Sequence, residues 1–186
     1  MIYTETEIKG VWMIEPEVFR DARGYFMESY KKPEFEQYIG DVHFIQENES
    51  CSVQGVLRGL HYQLEPYAQS KLVRVIDGEV FDVAVDIRKG SPTFGRYIAV
   101  VLSGENKRQL FVPKGFAHGF YVMSKTAVFT YKVDNPYMPV YERGIRFDDP
   151  AIGVDWRLLS ESAFSISGKD RIAPLLDEAE INYTYK

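Results

Sequence analysis

The chain has 186 residues, a formal net charge of −5 at pH 7 and 15% aromatic residues. This charge argues against nucleic acid as a partner, because a phosphate backbone is bound by clustered lysine and arginine. No run of about 18 apolar residues is present, so the sequence predicts no membrane-spanning helix. The single cysteine, Cys51, cannot form an intrachain disulfide, which predicts a soluble protein of a reducing compartment, the cytoplasm.

The hydrophobic pattern predicts a mostly β protein. One early helix is expected from Pro33 to Ile39, with Gly40 ending it. The predicted strands are short apolar or aromatic runs between turn residues, among them Val11 to Ile14, Gly24 to Tyr30, Lys71 to Ile76, Phe81 to Arg88, Tyr97 to Leu102, Gln109 to Val112 and Val128 to Val133. About ten such strands with frequent turns predict a sandwich or barrel, closed as a jelly roll, in a single domain covering residues 1–186.

Several local features add detail to this prediction. Apolar and polar residues alternate from Phe81 to Arg88, which predicts a strand with one buried and one exposed face. Asp77-Gly78 just before it is a hairpin turn signal. Towards the C-terminus, Trp156 to Leu159 and the residues from Ser160 onward are expected to be helical. Ser167 to Arg171 is expected to form a charged loop.

The segment Gly55 to Gln63 carries the first candidate site. His61 follows Arg58 by three residues, which suggests a proton-transfer group beside a group that holds an anion. Gly59 lies between them and permits a close approach of another backbone. On a regular strand Arg58 and His61 point to opposite faces, so both can face one ligand only if the strand bulges or ends near Gly59. The alternative is that His61 is a structural hydrogen-bonding residue.

Other segments carry weaker signals. Arg23 lies at a loop-to-strand junction, where functional residues are common, although it could instead only neutralise Asp21. Gln46, Asn48 and Ser50 share one face of a predicted strand, which resembles a hydrogen-bonding surface more than a solvated edge. A proline and two glycines tighten the backbone around His118.

These segments together resemble the dTDP-4-dehydrorhamnose 3,5-epimerase family. The resemblance runs along nearly the whole chain and is carried by Asp21 to Phe26, Val56 to Gln63, Gly78 to Gly90, Pro113 to Phe120, Tyr131-Lys132, Glu142 to Arg146 and Lys169-Asp170. It implies a cupin-type jelly roll, usually a homodimer, with the site inside the barrel. It also implies conversion of dTDP-4-dehydro-6-deoxy-D-glucose to dTDP-4-dehydro-L-rhamnose, without a metal or cofactor, to supply rhamnose for bacterial cell-surface polysaccharide.

The resemblance also implies roles for individual residues. His61 would be the base that removes a proton, Asp170 its partner and Tyr131 the proton donor, with Lys71 beside the developing enolate oxygen. A further set would bind the nucleotide sugar, namely Arg23, Glu28, Gln46, Glu47, Asn48, Arg58, His118, Tyr137, Glu142 and Lys169. These residue types suit the chemistry, because inverting a carbon next to a ketone needs a base on one face and an acid on the other. A cation placed at the carbonyl oxygen stabilises the charge that develops there.

Three alternatives stay open at this point. Relatives that invert only C3 or only C5 share many of these motifs. A metal-dependent cupin would use Pro113 to His118 as its second metal motif, but Gln63 stands where the first motif needs a histidine, and His43 is the one imidazole left over. A non-catalytic module could bind a sugar nucleotide, although it would need neither a base nor an acid.

Overall fold

A computed structural model describes residues 1–156 and 165–185. Its strands are β1 (Ile2–Glu5), β2 (Trp12–Glu15), β3 (Val18–Asp21), β4 (Gly24–Met27), β5 (Gln46–Val53), β6 (Val56–Gln63), β7 (Lys71–Asp77), β8 (Glu79–Asp86), β9 (Tyr97–Ser103), β10 (Gln109–Val112), β11 (Phe116–Val122), β12 (Thr126–Val133), β13 (Glu142–Gly144) and β14 (Ser165–Ile166). Its helices are α1 (Lys32–Tyr38), a 3₁₀ turn (Pro139–Tyr141) and α2 (Gly168–Arg171). The predicted mostly β fold and the early helix are confirmed.

Two antiparallel sheets face each other. The first has the order β1-β2-β10-β7-β12-β5, and the second has the order β13-β6-β11-β8-β9, with β14 added in parallel beside β6. Side chains from both inner faces form a shared core, in which Val73 and Phe129 of the first sheet join Val80 and Phe120 of the second. Burial of these apolar side chains holds the sheets together and leaves one region between them for polar residues.

The outer face of each sheet is also covered. On the second sheet the chain after β13 supplies Phe147, Trp156 and Tyr183 to a cluster that includes Leu60 of β6. On the first sheet the segment around α1 packs Phe35 against Phe111 of β10, with ring centroids 5.3 Å apart. Strands β6, β7, β10 and β11 are therefore supported from outside as well as from inside.

A register shift in β6 resolves the relation between Arg58 and His61. His61 pairs with His118 and Arg58 pairs with Phe120, so β6 has one more residue than β11 over this interval. The extra residue reverses the alternation of side chains between the two positions. Arg58 and His61 consequently both line the cavity between the sheets, as the bulge alternative requires.

The bulge depends on a close approach of two glycines. Gly59 has φ +131°, and a Cβ atom built there would lie 2.5 Å from Cα of Gly119 on β11. A Cβ on Gly119 would likewise lie 2.7 Å from the carbonyl oxygen of Arg58. Any larger side chain at Gly59 would push the two strands apart and move His61.

Two expectations about β8 are wrong. Asp77-Gly78 does not form a hairpin, because β7 lies between β10 and β12 in the first sheet while β8 lies between β11 and β9 in the second. The turn instead passes the chain from one sheet to the other. Strand β8 is also buried on both faces. Its alternate residues pack into two different clusters: Phe81, Val83 and Val85 join the outer one, and Val80 and Ala84 join the core between the sheets.

The C-terminal expectations have mixed outcomes. Ser167 to Arg171 is not a loop: residues from Gly168 form the short helix α2, because the Ser167 hydroxyl accepts a hydrogen bond from the Asp170 amide and caps its first turn. The predicted helices at Trp156 to Leu159 and from Ser160 onward fall largely on residues 157–164, which lie outside the described residues. In the described part, Ser165–Ile166 form strand β14 beside β6, so the helix expected there is wrong.

We expect Gly59→Ala to destabilise the protein more than Gly40→Ala. Gly40 is a matched control, because its φ of +113° is likewise positive and a Cβ there would meet nothing within 4 Å. Backbone strain alone should cost about 1–2 kcal/mol at either position, and the contact with Gly119 should raise the loss at Gly59 to about 3 kcal/mol or more. Urea unfolding of both variants measures this difference, and equal losses would contradict the close-approach argument.

Candidate active site

A cavity of about 530 Å³ opens between the two sheets. Strands β6 and β11 supply one wall, and β5, β7 and β12 supply the facing wall. Residues from Ser165 to Asp170 lie at its edge. Seven of the residues predicted from the sequence line this cavity, namely Arg58, His61, Lys71, His118, Tyr131, Lys169 and Asp170.

His61 is paired with a buried carboxylate. Nε2 of the His61 ring lies 2.6 Å from Oδ1 of Asp170, and Asp170 is held in turn by the Ser167 cap on α2. Burial alone would raise the pKa of Asp170, but the hydrogen bond and charge of His61 outweigh burial and hold that pKa below its usual value. An ionised carboxylate fixes the ring tautomer and stabilises an imidazolium, so His61 is arranged to accept a proton at its other nitrogen.

Tyr131 and Lys71 come from the opposite sheet. Burial raises the pKa of the Tyr131 hydroxyl, although the hydrogen bond with Asn48 and the charge of Arg58 partly oppose this. Tyr131 is therefore protonated at neutral pH and can donate. Burial lowers the pKa of Lys71 to about 8, partly offset by the carboxylates of Asp82 and Glu142. Lys71 thus carries most of its positive charge at neutral pH, and no carboxylate in the described part of the chain forms a direct ion pair with it.

A second histidine–carboxylate pair lies deeper in the β11 wall. Nε2 of His118 lies 3.0 Å from both carboxylate oxygens of Asp82, and the Asp82 side chain is fully buried. The ring of His118 also stacks near Phe129, with centroids 6.2 Å apart. These contacts fix the ring plane of His118 where it faces the cavity.

Basic side chains are distributed along the rest of the cavity. The guanidinium of Arg58 is held by the Ser52 hydroxyl, with Nη2 3.1 Å from Oγ. At the edge, Nζ of Lys169 donates to Glu142 Oε1 at 2.8 Å, and the Tyr137 hydroxyl donates to Glu142 Oε2 at 2.9 Å. The carboxylate of Glu142 therefore joins two of the predicted binding residues.

The other predicted residues lie at the edge of the cavity or away from it. Asn48 is hydrogen-bonded to Tyr131 and accepts from Gln46 at 2.7 Å, so these two amides extend the cavity wall along β5. Glu47 points to the opposite face of the sheet, where it forms an ion pair with Lys132 at 2.7 Å.

Arg23 and Glu28 are separated from the cavity. Arg23 lies in the β3–β4 hairpin and forms an exposed ion pair with Asp21 at 2.6 Å, as the surface-neutralisation alternative predicts. Glu28 lies 3.7 Å from Nζ of Lys31. Neither residue lines the cavity of its own chain.

Comparison with known proteins agrees with this arrangement. A sequence profile for dTDP-4-dehydrorhamnose 3,5-epimerase matches residues 5–178. The chain belongs to the dTDP-4-dehydrorhamnose 3,5-epimerase family. The resemblance read from the motifs is thereby confirmed, and so is the cupin-like fold that it implies.

Individual members of the epimerase family are similar over nearly their full length. The dTDP-4-dehydrorhamnose 3,5-epimerase of Shigella flexneri is 54% identical over 179 residues, which cover 96% of this chain and 92% of that protein. The crystal structure of dTDP-6-deoxy-D-glucose-3,5-epimerase from Legionella pneumophila, in complex with dTDP-4-keto-L-rhamnose, has a TM-score of 0.95 and 48% identity. The match covers 100% of this chain and 98% of the Legionella pneumophila chain.

A more distant epimerase of the same fold has a narrower reaction. ChmJ, a 3′-monoepimerase from Streptomyces bikiniensis solved in complex with dTDP-quinovose, has a TM-score of 0.88 and 33% identity. The match covers 93% of this chain and 87% of the ChmJ chain. The fold is therefore shared between proteins that differ in the number of carbons they invert.

Sequence reasoning did not find every polar group of this epimerase-family site. The alternation along β8 predicts an exposed face for Asp82, yet Asp82 is the buried partner of His118. Its signal was a carboxylate inside a long apolar run, since such a charge is buried only with a partner. Ser52 was missed as the partner of Arg58.

Within residues 1–156 and 165–185, no group of three or more histidine, cysteine, aspartate or glutamate side chains could hold a metal. No helix in those same ranges is long and apolar enough to cross a membrane.

Proposed function

We propose that this protein converts dTDP-4-dehydro-6-deoxy-D-glucose to dTDP-4-dehydro-L-rhamnose by inverting C3 and C5. The observation that carries the proposal is that a histidine–carboxylate pair and a protonated tyrosine line one cavity from opposite sheets. A sugar ring between the sheets would present one face to His61 and the other to Tyr131. The high identity to proteins named as 3,5-epimerases supports the same reaction.

The proposed step at each carbon balances with these groups alone. His61 takes a proton from the carbon next to the ketone, and the C–H electrons form a carbon–carbon double bond while charge moves to the carbonyl oxygen. The Lys71 ammonium stabilises that enolate oxygen before and during the transfer. Tyr131 then donates its proton to the opposite face of the carbon, which inverts the centre. His61 loses its extra proton to solvent and Tyr131 regains one before the next step.

The remaining cavity residues are proposed to bind the nucleotide part. Arg58 and Lys169 provide positive charge suited to a diphosphate, and His118 is held rigidly by Asp82 for the same contact. Tyr137 offers an aromatic ring at the edge, and the amides of Gln46 and Asn48 offer hydrogen bonds to a base. Although the net charge is −5, this distribution supplies a local cationic surface for an anionic substrate.

The proposal extends to assembly and location. Phe19 and Phe26 of the β3–β4 hairpin are 55% and 67% exposed, and Arg23 lies between them in sequence. A homodimer would cover these side chains and would place Arg23 and Glu28 at an interface instead of in their own cavity. A cytoplasmic location is part of the proposal because the one cysteine needs no oxidising compartment. That residues 1–186 form one domain stays a prediction.

The defining experiment is NMR of the substrate with the enzyme in D₂O, with a coupled reductase to trap the product. We expect deuterium at both C3 and C5 and a dTDP-L-rhamnose product. Deuterium at a single carbon would instead assign the protein to the mono-epimerases, an alternative favoured by the shared fold of ChmJ. No exchange at all would refute an epimerase and favour a sugar-nucleotide-binding module.

Two variants test the proposed roles of His61 as the base and Tyr131 as the acid separately. His61→Ala should abolish exchange and lower kcat by about 10³-fold or more, while dTDP affinity stays within about threefold. Tyr131→Phe should retain some exchange of the abstracted proton but lose inversion. Tyr121→Phe is the matched control, since Tyr121 is a buried tyrosine outside the cavity lining whose hydroxyl has no hydrogen-bond partner among the described residues. Inversion at the normal rate by Tyr131→Phe would reject Tyr131 as the acid.

The pH dependence tests the role of Lys71. The charged form is the active form, and the pKa of Lys71 is lowered to about 8, so kcat/KM should be retained below that pH and should fall above it. Lys71→Arg should be slower but should keep its charge, so its activity should show no decline until well above pH 8. Measuring kcat/KM of the wild type and of Lys71→Arg in parallel from pH 6 to about 10 tests this prediction. The same alkaline decline in both proteins would rule out Lys71 as its source.

A further inference from the structure

We infer that Gln63 is a positioning residue that holds Tyr137 at the edge of the cavity. Gln63 stands two residues after the base, at the position where a metal cupin would need a histidine, and the proposed chemistry gives it no role. Its side chain is 4% exposed and does not line the cavity. The question is what a buried carboxamide does at this point of β6, since a polar group is buried at a cost unless it is bonded.

The carboxamide of Gln63 bonds to the backbone on both sides of Tyr137. Oε1 accepts from the amide of Met138 at 2.6 Å, and Nε2 donates to the carbonyl of Pro136 at 3.1 Å. Nε2 also donates to the carbonyl of Tyr67 at 2.7 Å. The side chain thus uses its oxygen as an acceptor and both N–H groups as donors. Two of these hydrogen bonds go to the backbone of residues 136–138, as the hydrogen bonds of a paired strand would.

The strand beside Gln63 holds the other end of Tyr137. Glu142 of β13 pairs directly with Gln63 of β6, and its carboxylate accepts from the Tyr137 hydroxyl at 2.9 Å. Tyr137 is therefore fixed at its backbone by Gln63 and at its ring by Glu142. The ring is otherwise half exposed and does not belong to the buried core. Without these bonds, little in the described structure would restrain it.

The same strand carries the base. His61 and Gln63 are two residues apart on β6, which corresponds to about 7 Å along a strand. His61 is hydrogen-bonded to Asp170, while Gln63 fixes Tyr137, so one strand sets the distance between the proposed base and the edge of the cavity. A nucleotide held against Tyr137 would then be placed at a set distance from the base. This inference rests on the proposed function insofar as Tyr137 contacts the nucleotide sugar.

The test uses dTDP affinity, measured by calorimetry, together with KM and kcat for the full reaction. We expect Gln63→Leu to weaken dTDP binding and to raise KM by about tenfold while kcat stays within about threefold, because positioning is lost and the base is untouched. Tyr137→Ala should have a similar effect. The double variant should be no more than about twofold worse than Tyr137→Ala alone, since both changes remove the same contact.

Gln69→Leu is the matched control. Gln69 is a second carboxamide of the neighbouring loop, and its Nε2 donates to the carbonyl of Asn135 at 2.7 Å, so it holds the same segment without flanking Tyr137. We expect its dTDP affinity to stay within about twofold of the wild type. An equal loss in Gln69→Leu would show general loosening of the loop and would overturn the inference. Effects of Gln63→Leu and Tyr137→Ala that multiply in the double variant would also overturn it.

A second variant and a wild-type measurement complete the test of Gln63. If Gln63→Leu does not fold, Gln63→Glu keeps the acceptor for Met138 and loses the donors to Pro136 and Tyr67, and it should weaken dTDP binding by several-fold. Unchanged affinity in a folded Gln63→Glu variant would count against the inference. Wild-type protein that binds dTDP without turning over the keto sugar would overturn the proposed function, and the affinity comparison would still decide the role of Gln63. Wild-type protein that binds no dTDP would overturn both.

Discussion

The close contact between β6 and β11 at Gly59 and Gly119 is the constraint on which the site depends. It permits an extra residue in β6, and this residue turns Arg58 and His61 to the same face. A regular strand would direct one of them into the outer core, where an unpaired charge would be costly. The glycines therefore place a guanidinium and an imidazole side by side on one short strand.

The second organising feature is the distribution of charge over two facing sheets. His61 and His118 each have a carboxylate partner, in Asp170 and Asp82, so their rings are fixed before any ligand enters. Among the described residues Lys71 has no carboxylate in direct contact, and burial lowers its pKa to about 8. Preorganised groups of this kind act on developing charge without rearranging, as the proposed removal of a proton from carbon requires.

Strand pairing also connects the chemistry to the edge of the cavity. The β6–β13 pair carries His61, Gln63 and Glu142, and α2 supplies Asp170 next to Lys169. Groups with a proposed role in the reaction and groups with a proposed role in binding are thus neighbours, one or two residues apart, on the same elements. Residues of one strand can therefore set binding geometry without touching the reacting atoms.

The sequence by itself determined the fold class, the early helix and the identity of the residues that meet in the cavity. Hydrophobic alternation and turn residues are local properties, so they predict strands without knowledge of neighbours. The family resemblance implied a shared site for His61, Tyr131, Lys71 and His118, and the structure brings them into one cavity. The tertiary structure decided what depends on pairing between distant residues. It set the bulge at Gly59, the crossing of the chain between sheets at Gly78 and the burial of Asp82, because each follows from which strands become neighbours. It also directed Glu47 away from the cavity and left Arg23 on an exposed hairpin, because the face of a residue is fixed only when its strand is paired.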